Sequence, residues 1–229
     1  MNKIKGEQAE NHKKIIADMI IEISGQKSPY QVFYDWCVCM AMAFQNSCDM
    51  FKDSEIYKQR EELYQNTIKQ YSESEQKKIY EMTGRLFLAF ESEISDYLGG
   101  IYMEAGCGNK YVGQFFTPFH LSELCARLGV DGTDKIYRMN EPSCGGGAMI
   151  LATAKALKDI GINYQRRLRV VAQDLDWLGV YMTYVQCNMI GIDAIVVQGD
   201  TLKEPYTDNY PKSRILRTMN NMGGLILRY

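Results

Sequence analysis

The pattern of apolar and polar positions changes character near the middle of the chain. Through the first hundred residues, apolar positions recur at steps of three and four, the period of one helix face. Ile15, Ile16, Met19, Ile20 and Ile23 form such a stripe, and Gly25 ends it. Ser28-Pro29 reads as an N-cap followed by a first-turn proline, opening a very apolar helix that runs to about Ser47. Asp53 is placed to cap a third, more polar helix through about Tyr71. Ser72-x-x-Glu75 is a capping box, and Ile79, Met82, Leu86, Phe90, Ile94 and Tyr97 continue one stripe until Gly99-Gly100. Glu91, Glu93 and Asp96 fall on the wet face of that helix. The expectation is a bundle of four helices with no catalytic pattern of its own.

After the loop-like stretch around Gly106-Cys107-Gly108-Asn109 the pattern switches. Residues 113–118 read Gly-Gln-Phe-Phe-Thr-Pro, with Thr117 as N-cap and Pro118 as first residue of a helix carrying Leu121, Leu124, Cys125 and Leu128 on one face. Short apolar runs then alternate with helical ones. A strand over 135–139 leads into Glu-Pro-Ser-Cys-Gly-Gly-Gly at 141–147, then a helix from Ala148 to Leu157. A second strand, 168–172, ends at Gln173-Asp174; a helix runs from about Asp176 to Ile190; a third strand, 195–197, ends at Gly199-Asp200-Thr201. This alternation predicts an α/β fold with a parallel, Rossmann-like sheet. Right-handed crossovers bring the three strand ends to one edge, where ligands of such sheets bind. The expected organisation is a helical domain over 1–104 and an α/β domain over 105–229.

The polar groups at those strand ends point to chemistry. Packed glycines let a backbone turn sharply and approach a ligand closely, and the helix start beyond them offers unpaired N–H groups. Asp174, at the end of the second strand, can accept both hydroxyls of a ribose; Asp200, at the end of the third, can accept an exocyclic adenine amine. Each aspartate taken alone is as readily a loop carboxylate or a cap, and for Asp176 the cap is preferred. The joint arrangement favours a nucleoside-bearing ligand. A dinucleotide fingerprint would read Gly-x-Gly-x-x-Gly; here the acidic Glu141 leads into the glycines. An anionic side chain there suits a cationic amine better than a pyrophosphate. S-adenosylmethionine carries such an amine beside a sulfonium.

Composition narrows the partners. The 229 residues carry 46% hydrophobic and 24% charged positions with a net charge of −2, so DNA binding would need a local patch or a partner rather than overall charge. Seven cysteines, odd in number and irregularly spaced, read as free thiols of a reducing cytoplasm. Cys37-x-Cys39 lies in an apolar helical run, and packing is preferred there over a metal. No metal site and no membrane span are expected.

With these motifs in view, the chain resembles the N6-adenine DNA methyltransferases related to modification subunits of type I restriction systems. In that family Gly-Gln-Phe-Phe-Thr-Pro, Asp-Pro-x-Cys-Gly-x-Gly, an acidic residue after strand two and Gly-Asp-x-Leu after strand three occur in order. Here they stand at 113–118, 141–147, Asp174 and 199–202, with Glu141 in place of the aspartate. The resemblance implies a helical N-terminal domain followed by a Rossmann-like S-adenosylmethionine-dependent methyltransferase sheet. It also implies a cofactor site of Phe115, Phe116, Thr117, Pro118, Glu141, Pro142, Ser143, Cys144, Gly145, Gly147, Asp174, Leu175, Asp200 and Thr201. Thr117 and its neighbours would meet the methionine end, Glu141 its amine, Asp174 the ribose and Asp200 the adenine. Phe115 and Phe116 would pack around the cofactor or the core.

The family's catalytic motif is Asn/Asp-Pro-Pro-Tyr/Phe after strand four, which accepts the hydrogens of the flipped adenine's amine and stacks on its ring. The five prolines of this chain are never adjacent, so the motif is absent and no catalytic residue is assigned. Glu204-Pro205-Tyr206 is a partial match too close behind Asp200. Residues 224–227, Gly-Leu-Ile-Leu, are the expected fourth strand, so the sheet is expected to be truncated. Three functions follow as expectations: a DNA methyltransferase working with a protein partner or as a homodimer, a catalytically inactive cofactor-binding regulator, or a helical interaction module with a degenerate sheet.

Overall fold

The computed structural model describes residues 2–49, 54–108, 117–133 and 135–222. Five helices come first: α1 (Asn2–Ile23), α2 (Pro29–Cys48), α3 (Glu55–Ile68), α4 (Glu73–Ser92) and α5 (Tyr97–Glu104). Then follow α6 (Phe119–Gly129), β1 (Tyr137–Glu141), α7 (Ala148–Asp159), α8 (Tyr164–Arg167), β2 (Leu168–Asp174), α9 (Trp177–Met189), β3 (Asp193–Gln198) and β4 (Ile215–Arg217). The sheet order is β1-β2-β3-β4, with the first three strands parallel and β4 antiparallel to β3. Helices and sheet share one continuous apolar core. Within it α2 packs between α3 and α9, and α1 packs along α4.

The caps explain the early boundaries. Ser28 accepts from the N–H of Gln31 with Pro29 in the first turn, and Ser72 with Glu75 closes the capping box. The bundle differs from the expected four helices. The apolar stripe of α4 stops at Ser92, the chain is extended at Glu93, and α5 restarts at Tyr97 and runs through Gly99-Gly100. Those glycines do not stop a helix. Asp96 caps α5 by accepting from the N–H of Gly99, and a Cβ at Gly99 would lie 2.1 Å from the Asp96 carboxylate. The glycine makes room for the cap. Asp96 is therefore half-buried and turned inward rather than on the wet face.

Other expectations change as well. Asp53 lies outside the described residues, and Ser54 caps α3 by accepting from the N–H of Tyr57. Pro118, not Thr117, holds the N-cap position of α6, with no side-chain cap. The apolar face of α6 is in solvent: Leu124 is 58% and Leu128 82% exposed. α6 instead buries Ser122 and Ala126, the latter against Ala152 and Ala156 of α7. Small side chains let the two helices approach closely. Residues 224–227 lie outside the described residues; the fourth strand described is 215–217. It is locked by Thr218, whose hydroxyl donates to Ile192 O at 2.7 Å and accepts from the N–H of Ala194 at 3.0 Å.

Candidate functional site at the carboxyl edge of the sheet

The site begins with the turn between β1 and α7. Gly145 and Gly147 adopt φ of 49° and 89°, the left-handed region that glycine tolerates best. The turn is pinned by three hydrogen bonds, one to β2 and two from α9. The N–H of Cys144 donates to Gln173 O on β2 at 3.0 Å. From α9, the Thr183 hydroxyl donates to Gly145 O at 2.8 Å and the Gln186 amide donates to Gly146 O at 2.6 Å. A Cβ at Gly147 would meet the Thr183 hydroxyl at 3.0 Å, and one at Gly146 would meet Met182 at 3.2 Å. A side chain at either position would crowd α9 beneath the turn, and at Gly147 the left-handed backbone adds a second reason for glycine.

Asp174 joins the turn to β2. One carboxylate oxygen accepts from the N–H of Gly145 at 2.7 Å and the other from the N–H of Asp176 at 2.9 Å. Gly179 of α9 leaves space for it, since a Cβ there would stand 3.0 Å from the Asp174 carboxyl carbon. Each oxygen keeps a second lone pair, so the group can still accept from a ligand's hydroxyls. Asp176 accepts from the N–H of Leu178 as the cap of α9, the role preferred for it in the sequence.

Glu141 closes β1 and is half-buried. Burial raises its carboxyl above the ordinary carboxylate range; a hydrogen bond from the Ser143 backbone opposes this, and the nearby Asp174 charge adds to it. Cys144 is buried, and that burial lifts its thiol out of the reactive range, so it is packing rather than a nucleophile. The loop after β3 is tied to the same turn: the Thr201 hydroxyl donates to Pro142 O at 2.7 Å. Asp200 accepts from the N–H of Leu202 at 3.0 Å and pairs with Lys203 at 3.3 Å, which holds its carboxyl below the ordinary range.

The structure thus brings Glu141, Pro142, Ser143, Cys144, Gly145, Gly147, Asp174 and Thr201 to one edge, with Asp200 beside Thr201. Leu175 is exposed at the same edge, where its carbonyl accepts from Gln198 at 2.8 Å. Thr117 and Pro118 are exposed at the head of α6. Phe115 and Phe116 lie outside the described residues. The sequence reading missed Thr183 and Gln186, whose spacing of three on a helix is common and carries no motif. Tyr206 of the partial Glu-Pro-Tyr match is engaged elsewhere. Its N–H donates to the Gln173 side chain at 3.2 Å, its hydroxyl accepts from Arg217 at 3.2 Å, and it lines a groove of about 740 Å³ on the sheet face that also presents Arg138, Asn140 and Ile195. Among the described residues no group of three metal-ligating side chains occurs, and no helix is long and apolar enough to cross a membrane.

Three parallel strands with a glycine turn after the first and acidic residues after the second and third, flanked by one antiparallel strand, make an α/β fold shared with a class I S-adenosylmethionine-dependent methyltransferase. A Listeria monocytogenes protein assigned to that class superposes with a TM-score of 0.52 over 86% of this chain and 55% of its own, at 12% identity. The type I restriction-modification methyltransferase subunit from Streptococcus thermophilus aligns with a TM-score of 0.45 over 92% of this chain and 61% of its own, also at 12% identity. The chain belongs to the N-6 DNA methylase family, whose profile matches residues 94–221. The methylase subunit of the Mycoplasma pneumoniae type I restriction enzyme MpnII is 34% identical over 73 residues, 30% of this chain and 13% of that subunit. The chain therefore spans about half the length of the Listeria structure and a small part of the Mycoplasma subunit.

Proposed function

We propose that this protein binds S-adenosylmethionine at the carboxyl edge of β1, β2 and β3 and serves N6-adenine methylation of DNA together with a partner chain or a second copy of itself. The observation that carries the reading is the joining of all three strand ends around one glycine turn: Asp174 on Gly145, and Thr201 on Pro142. The set of acceptors fits the cofactor. Glu141 takes the amine, Asp174 the ribose hydroxyls and Asp200 the adenine amine. Pro142, Ser143, Cys144, Gly145, Gly147, Leu175 and Thr201 form the floor and rim. Thr117 and Pro118, with Phe115 and Phe116 before them, belong to the methionine end in the same reading. Bound there, the cofactor supplies an electrophilic methyl group on its sulfonium. A helical domain over 1–104, an α/β domain over 105–229 and a cytoplasmic location in keeping with seven free thiols complete the reading.

A second reading is a cofactor-binding protein without turnover that regulates or competes with an active methylase. Titration calorimetry with S-adenosylmethionine tests the shared part of both. Transfer of labelled methyl groups to adenine-containing DNA, alone and with candidate partner subunits, then separates them: label in DNA supports the methylase, and binding without transfer supports the regulator.

A further inference from the structure

Asp96 lies in the link between α4 and α5, far in sequence from the glycine turn and close to it in space. Its Oδ1 accepts from the N–H of Gly99 at 2.9 Å and from the side-chain amide of Gln186 at 2.8 Å. The same Gln186 amide nitrogen donates to Gly146 O at 2.6 Å, and its carbonyl accepts from the N–H of Leu98 at 3.1 Å. Gln186 is fully buried and all its hydrogen-bonding groups are used. Two acceptors at its nitrogen and one donor at its oxygen fix which way the amide points. The Asp96 carboxylate also lies 3.3 Å from where a Cβ on Gly146 would stand, and only glycine at position 99 leaves it room.

Capping alone does not explain this arrangement. Serine would cap α5 as well. Here an acidic group is turned inward, where burial raises its carboxyl and the hydrogen bonds from Gln186 and Gly99 oppose the shift. Its reach through Gln186 to Gly146 is what the longer side chain adds.

We propose that Asp96 is a positioning residue for the glycine turn: through Gln186 it holds the Gly146 carbonyl, and so couples the start of α5 to the loop that receives the cofactor. The proposal rests on the cofactor reading above for its binding consequence only; the coupling itself is independent of any ligand.

Asp96→Ser and Asp96→Asn separate the two roles. Serine retains an oxygen for the N–H of Gly99 but is too short to hold Gln186; asparagine can accept from both. Hydrogen exchange of the amides of 144–147 reads the turn without ligand, and calorimetry with S-adenosylmethionine reads binding. Asp96→Ser is expected to speed exchange at the turn about tenfold and weaken binding about tenfold, the loss of one buried hydrogen-bonded link. Asp96→Asn is expected to restore both to within about threefold. Unchanged exchange in Asp96→Ser, or no rescue by asparagine, overturns the proposal. Should the wild-type protein bind no S-adenosylmethionine while exchange still follows this order, the cofactor reading fails and the positioning role stands.

Discussion

The carboxylate of Asp174 and the backbone N–H of Gly145 stand 2.7 Å apart, joining the end of β2 to the turn after β1. One side chain thereby shapes the turn and remains available to a ligand. Asp174→Ala is expected to remove two hydrogen bonds to a charged acceptor, costing about 2 kcal/mol of stability, and to abolish measurable S-adenosylmethionine binding. Denaturant titration and calorimetry check the two effects separately. Retained binding in the folded variant would remove Asp174 from the cofactor site.

Glu141 gives the site a pH dependence whose sign follows from its environment. Burial is the largest cause raising its carboxyl above the ordinary value. A folded-state pKa above the unfolded one means that ionisation opposes folding, so this contribution improves as pH falls through the raised value. Glu141→Gln is therefore expected to be more stable than wild type at neutral pH, with the gap closing as pH drops toward the ordinary carboxylate range. Cofactor affinity is expected to move the other way in wild type, weakening on acidification because the amine's partner is neutralised, and to be flat in Glu141→Gln over that window.

Gly147 and Gly161 have similar backbone angles, φ of 89° and 81°, and different surroundings. Nothing stands within 4 Å of a Cβ on Gly161, while one on Gly147 meets the Thr183 hydroxyl at 3.0 Å. Gly161→Ala is expected to cost about 1 kcal/mol from its backbone conformation alone. Gly147→Ala is expected to cost clearly more and to weaken cofactor binding. Equal losses in a pair of urea titrations would show that the contact between the turn and α9 is loose.

The leucines of α6 test a different inference. Leu128 is 82% exposed and Leu151 of α7 fully buried. Leu128→Lys is expected to change stability by less than about 0.5 kcal/mol, whereas Leu151→Ala is expected to cost about 2–5 kcal/mol. A large loss in Leu128→Lys would mean that this face is covered in solution.

Much of this molecule was legible before folding was considered. The periods of three and four in the first hundred residues, the Ser28 and Ser72 caps, the strand–turn–helix at 137–159 and the cap at Asp176 follow from local rules, because each depends on contacts only a few residues apart. The acidic residues at the strand ends were legible too, since parallel connections send successive carboxyl ends to one edge. What the sequence could not decide was how faces pair. The apolar stripe of α6 does not name its own partner, and the small residues Ala126, Ala152 and Ala156 won the contact. The three-residue β4 carries too little pattern to be read; it is held by its antiparallel pairing with β3 and by Thr218, which completes backbone bonds at 192 and 194. Asp96, on the wet face by local period, became an inward carboxylate because the helix breaks before it and Gln186, ninety positions away, supplies its partner. Local order was written in the spacing of side chains; the burial of a carboxylate beneath a glycine turn required the chain to bring distant residues together.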